Sequence, residues 1–320
     1  MDARVQIPKA VITPSTTCRR VFAVLLGVVT LYVPVVACHF ASGTPQQAAL
    51  DDLRAQVREL STLVELLQQE RPVPAAVLNR YRNSIGYISG VYSVSLGKGR
   101  PEIRMRVSGS GFLAGNGLVA TNRHVAQPWY GNLEAKRLLD RGATATVESL
   151  EVFFPNLTKS IKLSPGPVAK TSDLAVLRLK NPDVARGLTI LPLATSPASP
   201  GQLVTVLGYP LGTLGLVVKS PLSMYERLAY RHDTDNIAHL AAMSLIRPSI
   251  TYGHLGDIVG DTIVYDAPSA HGGSGGPVLN SKGEVIGVNC AYLDGFSGST
   301  LGVSIEDLRP LIKEVQAADR

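Results

Sequence analysis

The chain has 320 residues, which is enough for one large domain or two small ones together with a terminal anchor. Its 30 glycines and 21 prolines separate mostly short apolar stretches, which favours an all-β fold over a fold of long helices. The formal net charge of +6 is spread thinly, without a basic stripe interleaved with aromatic residues, so nucleic acid is not an expected partner.

Residues 1–38 have the pattern of a signal peptide or membrane anchor. Arg19 and Arg20 precede an apolar run at 21–37, which is slightly shorter than the roughly 20 residues of a spanning helix. The run ends in Val-Val-Ala-Cys, which resembles a bacterial lipobox and makes Cys38 a candidate for lipidation. Lipidation, a retained anchor and ordinary cleavage stay open as alternatives. Positive charge before the run places the rest of the chain outside the cytoplasm in each case.

Residues 44–71 are predicted to form a helical, coiled-coil-like stalk. Their apolar residues alternate between spacings of three and four, which is a heptad seam: Leu50, Leu53, Val57, Leu60, Val64 and Leu67. Such a seam predicts a homo-oligomer through 50–67, and a single amphipathic helix packed on the following domain is the alternative. Prolines then end the helix and begin a predicted linker at 72–80.

Residues 81–320 are predicted to be mainly β-structure. Apolar residues alternate with polar ones, most clearly at 103–107, as in strands with one buried face. Prolines between 192 and 200 mark a crossover between two halves. Residues 221–246 contain helix-like stretches and are expected to form a surface insertion. Residues 305–318 present one apolar helix face after a capping-box-like start, which predicts a C-terminal helix.

Three separated motifs in this region carry the residue types of nucleophilic catalysis. Ser274 lies in His-Gly-Gly-Ser-Gly-Gly-Pro, where glycines allow backbone N–H groups to converge on a developing oxyanion. His124 is a candidate base for the serine hydroxyl, and Asp173 is a candidate acid to orient that base. Singly, these motifs also fit a flexible glycine loop, a surface histidine and a loop-ending acid. Their joint order and spacing favour a catalytic site.

The order of the three residues along the chain narrows the choice of fold. The pentapeptide around Ser274 also fits the α/β-hydrolases, but their histidine follows the serine, and no histidine follows Ser274 here. The subtilisin order needs an aspartate before the histidine, and only the N-terminal segment has aspartates before His124. The remaining order of His, Asp and Ser is that of chymotrypsin.

Four stretches together resemble the trypsin-like serine peptidases of bacterial HtrA type: residues 108–126, 173–177, 208–210 and 266–291. The resemblance covers roughly residues 85–310. It implies two perpendicular six-stranded β-barrels, at about 81–190 and 195–304, with the active site between them.

The resemblance also implies roles for individual residues. His124 would act as general base and then acid, Asp173 would orient its imidazole, and Ser274 would attack the scissile carbonyl to form an acyl-enzyme. The oxyanion hole would use the N–H groups of Gly272 and Ser274, with Gly273 between them. The substrate pocket would be lined by four residues: Pro268, Asn289, Cys290 and Ala291.

Some positions depart from the HtrA and digestive relatives. Gly273 stands where those relatives carry Asn or Asp, which suggests a mobile oxyanion loop that stays latent until substrate binds. Pro268 offers no acid for a substrate Lys or Arg, so we expect cleavage after small or medium apolar residues. No PDZ module is expected after Arg320. Cys290 is the one cysteine of 81–320, so no internal disulfide is expected there.

The sequence therefore predicts a serine endopeptidase that cleaves envelope or extracytoplasmic proteins. It would be tethered to the membrane and face the periplasm or exterior, or be secreted if the leader is cleaved without lipidation. No metal and no cofactor are expected in its reaction, because no ligand cluster or phosphate-binding glycine loop is visible. The alternative is a membrane-tethered, non-catalytic binding or scaffold protein on a protease fold.

Overall fold

The computed structural model describes residues 45–69, 71–97, 99–100, 102–229, 235–292 and 299–318. The predicted leader at 1–38, with Cys38, lies outside the described residues. Within the described ranges, no helix combines the length and the apolar character needed to cross a bilayer.

Helix α1, Pro45–Gln69, covers most of the segment predicted as a stalk. All six seam side chains are exposed, with fractions from 42% at Leu50 to 60% at Leu60. Two further leucines on this helix, Leu63 and Leu66, are also about half exposed, at 48% and 53%. Helix α1 therefore presents a continuous apolar face to solvent.

The segment predicted as a linker at 72–80 contains a short helix instead. Helix α2, Ala75–Tyr81, buries Leu78 and Tyr81 in the core together with Val73. A Cβ placed on Gly283 would lie 3.1–3.5 Å from side chains of this segment, so the segment packs directly on that turn. Burial of these apolar side chains, rather than helix propensity, explains why so short a stretch is ordered.

The first β-barrel is closed by six antiparallel strands in the order β1-β2-β3-β6-β5-β4. The strands are β1 Ile85–Ser95, β2 Glu102–Gly115, β3 Leu118–Thr121, β4 Thr144–Phe153, β5 Ile161–Val168 and β6 Ala175–Leu179. Helices α3, Arg123–Ala126, and α4, Leu133–Leu139, follow β3. Short 3₁₀ turns at Arg82–Ser84 and Pro182–Ala185 flank this barrel.

The second β-barrel is closed by six antiparallel strands in the order β10-β11-β12-β9-β8-β7. The strands are β7 Leu203–Gly208, β8 Ser249–Val259, β9 Thr262–Tyr265, β10 Pro277–Leu279, β11 Val285–Tyr292 and β12 Thr300–Ser304. The helices between β7 and β8 are α5 Gly212–Val218, α6 Leu222–Ala229 and α7 Asp235–Ala242. Within the region 221–246 that was expected to contain helix-like stretches, α6 and α7 are helical.

The chain then ends in a 3₁₀ turn, Ile305–Asp307, and helix α8, Leu308–Ala318. Its buried face consists of Leu308, Leu311, Ile312 and Val315. The prediction of two six-stranded barrels and a C-terminal helix is confirmed. The outer half of β2 alternates between exposed and half-buried residues, as a strand with one solvated face does, and its inner half is continuously buried.

The inner half of β2 holds Ser110, a fully buried serine that joins the two barrels. Its N–H donates to the carbonyl oxygen of Ser274 over 2.7 Å. Its hydroxyl donates to the carbonyl oxygen of Gly272 over 2.8 Å and accepts from the N–H of Tyr209 over 2.9 Å. The glycine-rich loop of the second barrel is thereby fixed to a strand of the first.

Candidate active site

His124 and Asp173 are brought together by the pairing of β3 with β6. Thr121, the last residue of β3, pairs with Ala175, the first residue of β6. Helix α3 starts two residues after Thr121 and carries His124, while Asp173 lies two residues before Ala175. Antiparallel pairing therefore places both side chains at the same end of the barrel.

Two hydrogen bonds join these residues directly. The Nδ1 of His124 lies 2.7 Å from Oδ2 of Asp173, and the backbone N–H of His124 donates to Oδ1 over 2.9 Å. The side-chain amide of Asn122 also donates to the carbonyl oxygen of Asp173 over 2.9 Å. Both carboxylate oxygens and the backbone of Asp173 are thus held against the segment that carries the imidazole.

The carboxyl group of Asp173 stays ionised in this setting. Burial alone would raise its pKa, but the hydrogen bonds from His124, the positive charge that His124 carries when protonated, and the bond from Cys290 hold the pKa below its usual range. An ionised carboxylate only accepts hydrogen bonds, so Nδ1 of His124 must carry the proton. The other ring nitrogen, Nε2, is then the basic one, as proton abstraction from a serine requires.

Cys290 has a role at this site that the sequence did not reveal. Its thiol donates to Oδ2 of Asp173 over 3.1 Å, so one carboxylate oxygen contacts both His124 and Cys290. Burial, together with the neighbouring Asp173 carboxylate, raises the pKa of the thiol far above its usual range. The thiol is therefore a neutral donor that helps to fix Asp173. The sequence predicts Cys290 in the substrate pocket, and no sequence signal indicates its contact with a residue 117 positions away.

Ser274 is half-buried in the loop between β9 and β10. Its hydroxyl donates to the carbonyl oxygen of Cys290 over 2.7 Å, and its own carbonyl oxygen accepts from Ser110. Among the described residues, no hydrogen bond joins the hydroxyl to His124. Ser274 and the His–Asp pair are therefore linked through Cys290, whose carbonyl oxygen accepts from the Ser274 hydroxyl and whose thiol donates to Asp173.

The amides predicted to form the oxyanion hole are available as donors. For the part of the chain that the structure describes, the N–H groups of Gly272 and Ser274 have no hydrogen-bond partner. The N–H of Gly273 differs, because it donates to the carbonyl oxygen of Ala270 over 2.9 Å. An oxyanion hole needs donors that are not already satisfied, so this pattern suits Gly272 and Ser274.

Gly272 is required by its backbone conformation and its surroundings. Its φ of 90° lies in the left-handed region, which glycine adopts without the steric cost of a Cβ. A Cβ at this position would lie 2.6 Å from the backbone of Tyr209 and Gly212. No other residue type fits here without a backbone shift.

Gly273 is confined for a different reason. A Cβ at this position would lie 2.6 Å from the hydroxyl oxygen of Ser269 and 3.0 Å from the carbonyl oxygen of Ala270. In this loop conformation, a side chain at position 273 would have to displace the Ser269 hydroxyl and crowd the Ala270 carbonyl oxygen. The loop is tight at Gly273, and the hypothesis of latency stays a prediction.

The remaining predicted pocket residues lie in different environments. Asn289 is only 1% exposed, and its side chain accepts from the hydroxyl of Tyr265 over 2.6 Å and donates to Ser269 over 2.9 Å. Pro268 is exposed. Ala291 pairs with Leu301 in the ladder of β11 and β12, and its side chain lies outside the described part of the structure. The assignment of these residues to a substrate pocket stays a prediction.

Comparison with protein families matches residues 109–288 to the family described as the trypsin-like peptidase domain. This range includes His124, Asp173 and Ser274.

Individual relatives resemble the chain over a similar range. The mitochondrial serine protease HTRA2 of Drosophila virilis is 27% identical over 216 residues, which are 67% of this chain and 41% of that protein. A probable periplasmic DegP-like serine endoprotease of Rickettsia prowazekii is 28% identical over 214 residues, which are 65% of this chain and 33% of that protein. The chain thus spans less than half the length of these relatives. The crystal structure of a serine endoprotease from Yersinia pestis is 17% identical, with a TM-score of 0.47 over 78% of this chain and 70% of that one.

Proposed function

The chain belongs to the trypsin-like peptidase domain family, and from this premise we propose that it is a serine endopeptidase with His124, Asp173 and Ser274 as its catalytic residues. The observation that carries the proposal is the two-point contact between the His124 segment and the carboxylate of Asp173, at 2.7 and 2.9 Å. This contact fixes the tautomer and the orientation of an imidazole that would otherwise rotate freely.

The proposed reaction begins with rotation of the Ser274 hydroxyl from the Cys290 carbonyl toward Nε2 of His124. The imidazole takes the hydroxyl proton while Oγ bonds to the scissile carbonyl carbon. The resulting oxyanion accepts hydrogen bonds from the N–H groups of Gly272 and Ser274. When the C–N bond breaks, His124 returns the proton to the leaving amine, and water then hydrolyses the acyl-enzyme by the same steps.

We propose that the substrates are proteins or unfolded segments in the cell envelope. The sequence pattern of residues 1–38 supports this location, with membrane attachment through the leader or through a lipid on Cys38. Metabolic labelling with a fatty-acid analogue tests the lipid version: label should enter the wild-type protein and be lost from Cys38→Ala. Unlabelled wild-type protein would reject lipidation.

The proposed specificity is for small or medium apolar residues before the scissile bond. Pro268, six residues before Ser274, carries no charge that could pair with a basic substrate side chain. A peptide-library digest tests this, and cuts chiefly after Lys or Arg would overturn it.

We also propose that the chain self-associates through α1. The six exposed seam residues support it, because their valines fall at one heptad position and leucines fill the other, a combination that favours two-stranded coiled coils. Leu60→Asp should lower the mass found by sedimentation, and Ala55→Asp, on the opposite helix face, should not. Equal masses for wild type and Leu60→Asp would reject the interface.

A serine-directed fluorophosphonate probe tests the proposed catalytic function. Wild-type chain and Ser281→Ala, a serine substitution in the turn between β10 and β11, should both be labelled, because only an activated serine hydroxyl reacts with the probe. Ser274→Ala should lose the label. An unlabelled wild-type chain that still binds proteins would favour a non-catalytic scaffold.

A further inference from the structure

The side chains of His124, Asp173 and Cys290 form a cluster of three different ligand types. A nitrogen, a carboxylate oxygen and a sulfur from these residues all lie within 4.8 Å of one another. The closest approaches are 2.7 Å from Nδ1 to Oδ2 and 3.1 Å from Sγ to Oδ2. The cluster is partly exposed to solvent, since the side chains of His124 and Asp173 are 34% and 17% exposed. An ion could therefore reach it without unfolding the site.

We propose that this cluster is a reversible inhibitory site for Zn²⁺ or a similar borderline divalent cation. The ligands are Nδ1 of His124, Oδ2 of Asp173 and Sγ of Cys290, and water completes a tetrahedron. The ion is an inhibitor and has no part in the reaction. Inhibition rests on the proposed protease function, whereas binding of the ion does not.

Two of the three distances between the ligand atoms need only a small expansion. Tetrahedral zinc with ordinary bond lengths places such ligand atoms roughly 3.3–3.6 Å apart. The two close contacts, at 2.7 and 3.1 Å, must each open by about half an ångström. Meanwhile Oδ1 of Asp173 keeps its bond from the backbone N–H of His124, so the carboxylate stays oriented toward the ion.

The ligand set selects among metals. Thiolate and imidazole favour zinc and its neighbours, whereas Mg²⁺ and Ca²⁺ prefer oxygen ligands and more of them. On binding, the S–H bond of Cys290 breaks, its proton passes to solvent, and a Zn–S bond forms without any change of oxidation state. Nothing else is consumed, so a chelator should remove the ion and restore the resting cluster.

Metal binding at Nδ1 would stop catalysis by displacing a proton. In the resting site Nδ1 directs the imidazole proton toward Oδ2 of Asp173, 2.7 Å away, and Nε2 is the basic nitrogen. An ion on Nδ1 moves that proton to Nε2, which can then no longer accept the hydroxyl proton of Ser274. The same ion occupies the carboxylate oxygen that orients His124.

Cobalt spectroscopy tests the binding directly. The full chain with Cys18→Ser and Cys38→Ser keeps Cys290 as its single thiol. Co²⁺ added to this protein should give a thiolate-to-cobalt charge-transfer band and the intense visible bands of tetrahedral cobalt, and Zn²⁺ should displace them. Adding Cys290→Ser should remove the charge-transfer band, because serine retains a hydrogen-bond donor for Asp173 but is a poor zinc ligand. Circular dichroism checks that both proteins are folded.

Inhibition is measured on the same pair of proteins, each relative to its own metal-free activity. Zn²⁺ should inhibit the protein that retains Cys290, EDTA should reverse the inhibition, and equal Mg²⁺ or Ca²⁺ should have no effect. Cys290→Ser should need at least about tenfold more Zn²⁺ for the same fractional inhibition.

The outcomes separate this proposal from the proposed function. The metal site is overturned if the protein that retains Cys290 shows no charge-transfer band, or if Cys290→Ser leaves the band unchanged. Either result counts even if proteolysis is normal. Ser274→Ala in the same background should keep the band. If the protein that retains both Ser274 and Cys290 shows the charge-transfer band but neither proteolysis nor probe labelling, the metal site is supported and the protease function is rejected.

Discussion

Ser110 in the first barrel donates its backbone N–H to the carbonyl oxygen of Ser274 in the second, over 2.7 Å. The loop that carries Ser274 is thus fixed to β2 rather than to its own barrel alone, and the hydroxyl of Ser110 adds bonds to Gly272 and Tyr209. Relative displacement of the barrels would therefore disturb the serine and its neighbouring amides together.

We expect Ser110→Ala to lower both stability and activity. The substitution leaves the carbonyl oxygen of Gly272 and the N–H of Tyr209 buried without their hydroxyl partner, which costs roughly 1–3 kcal/mol of unfolding free energy. Urea unfolding and kcat/KM measure the two effects. Ser164→Ala is the matched control, because its hydroxyl makes only a long 3.4 Å bond in β5. Equal losses in the two variants would contradict the role of Ser110.

Asp173→Asn should reduce kcat by about 10⁴-fold with little change in KM. An amide at this position can donate to Nδ1 of His124, which places the imidazole proton on Nε2, where it blocks proton transfer from Ser274. Steady-state kinetics with a peptide substrate measures the change. A variant that keeps more than a tenth of wild-type kcat would show that the contact between Asp173 and His124 does not support turnover.

Asp173 should also make stability depend on pH in a defined direction. Its pKa is lower in the folded chain than the ordinary value of 3.8, so the folded state binds this proton less readily than the unfolded state. The stabilisation is therefore fully present above the ordinary pKa and is lost as pH falls through the folded pKa. Urea unfolding of wild type and Asp173→Asn across the acid range tests this. The difference between their free energies of unfolding should shrink as pH falls. A difference that grows toward low pH would reverse the assigned sign.

Gly273→Ala should destabilise the loop through contact with Ser269. The new Cβ would lie 2.6 Å from the Ser269 hydroxyl oxygen, and such overpacking typically costs 1–3 kcal/mol. Ser269→Ala removes that oxygen, so the double variant should recover part of both stability and kcat/KM. A double-mutant cycle measures the coupling. Additive losses would show that Ser269 is not the obstacle.

Most of the fold could be predicted from the sequence, because the sequence pattern that indicates strands is local. The period-two alternation predicted strands, and the order of His124, Asp173 and Ser274 excluded two other folds. The sequence predicts a linker where helix α2 forms, because a seven-residue helix that follows two prolines has little intrinsic signal. Its order comes from packing of Val73 and Leu78 in the core, which only the tertiary structure shows.

The site was predictable in its residue types but not in all of its contacts. A histidine after β3 and an aspartate before β6 could be expected to meet, because the two strands pair. The contact between Cys290 and Asp173 depends on the meeting of two barrels, and nothing near Cys290 in sequence indicates it. The same holds for the Ser274 hydroxyl, whose partner is the Cys290 carbonyl rather than the imidazole.

The central claim is that His124 and Ser274 act as one catalytic unit, and a kinetic cycle of His124→Ala, Ser274→Ala and the double variant tests it most directly. Each single variant should lower kcat by about 10⁶-fold, and the double variant should be no slower than either single one. Losses that multiply in the double variant, or a single variant that retains substantial turnover, would contradict the claim.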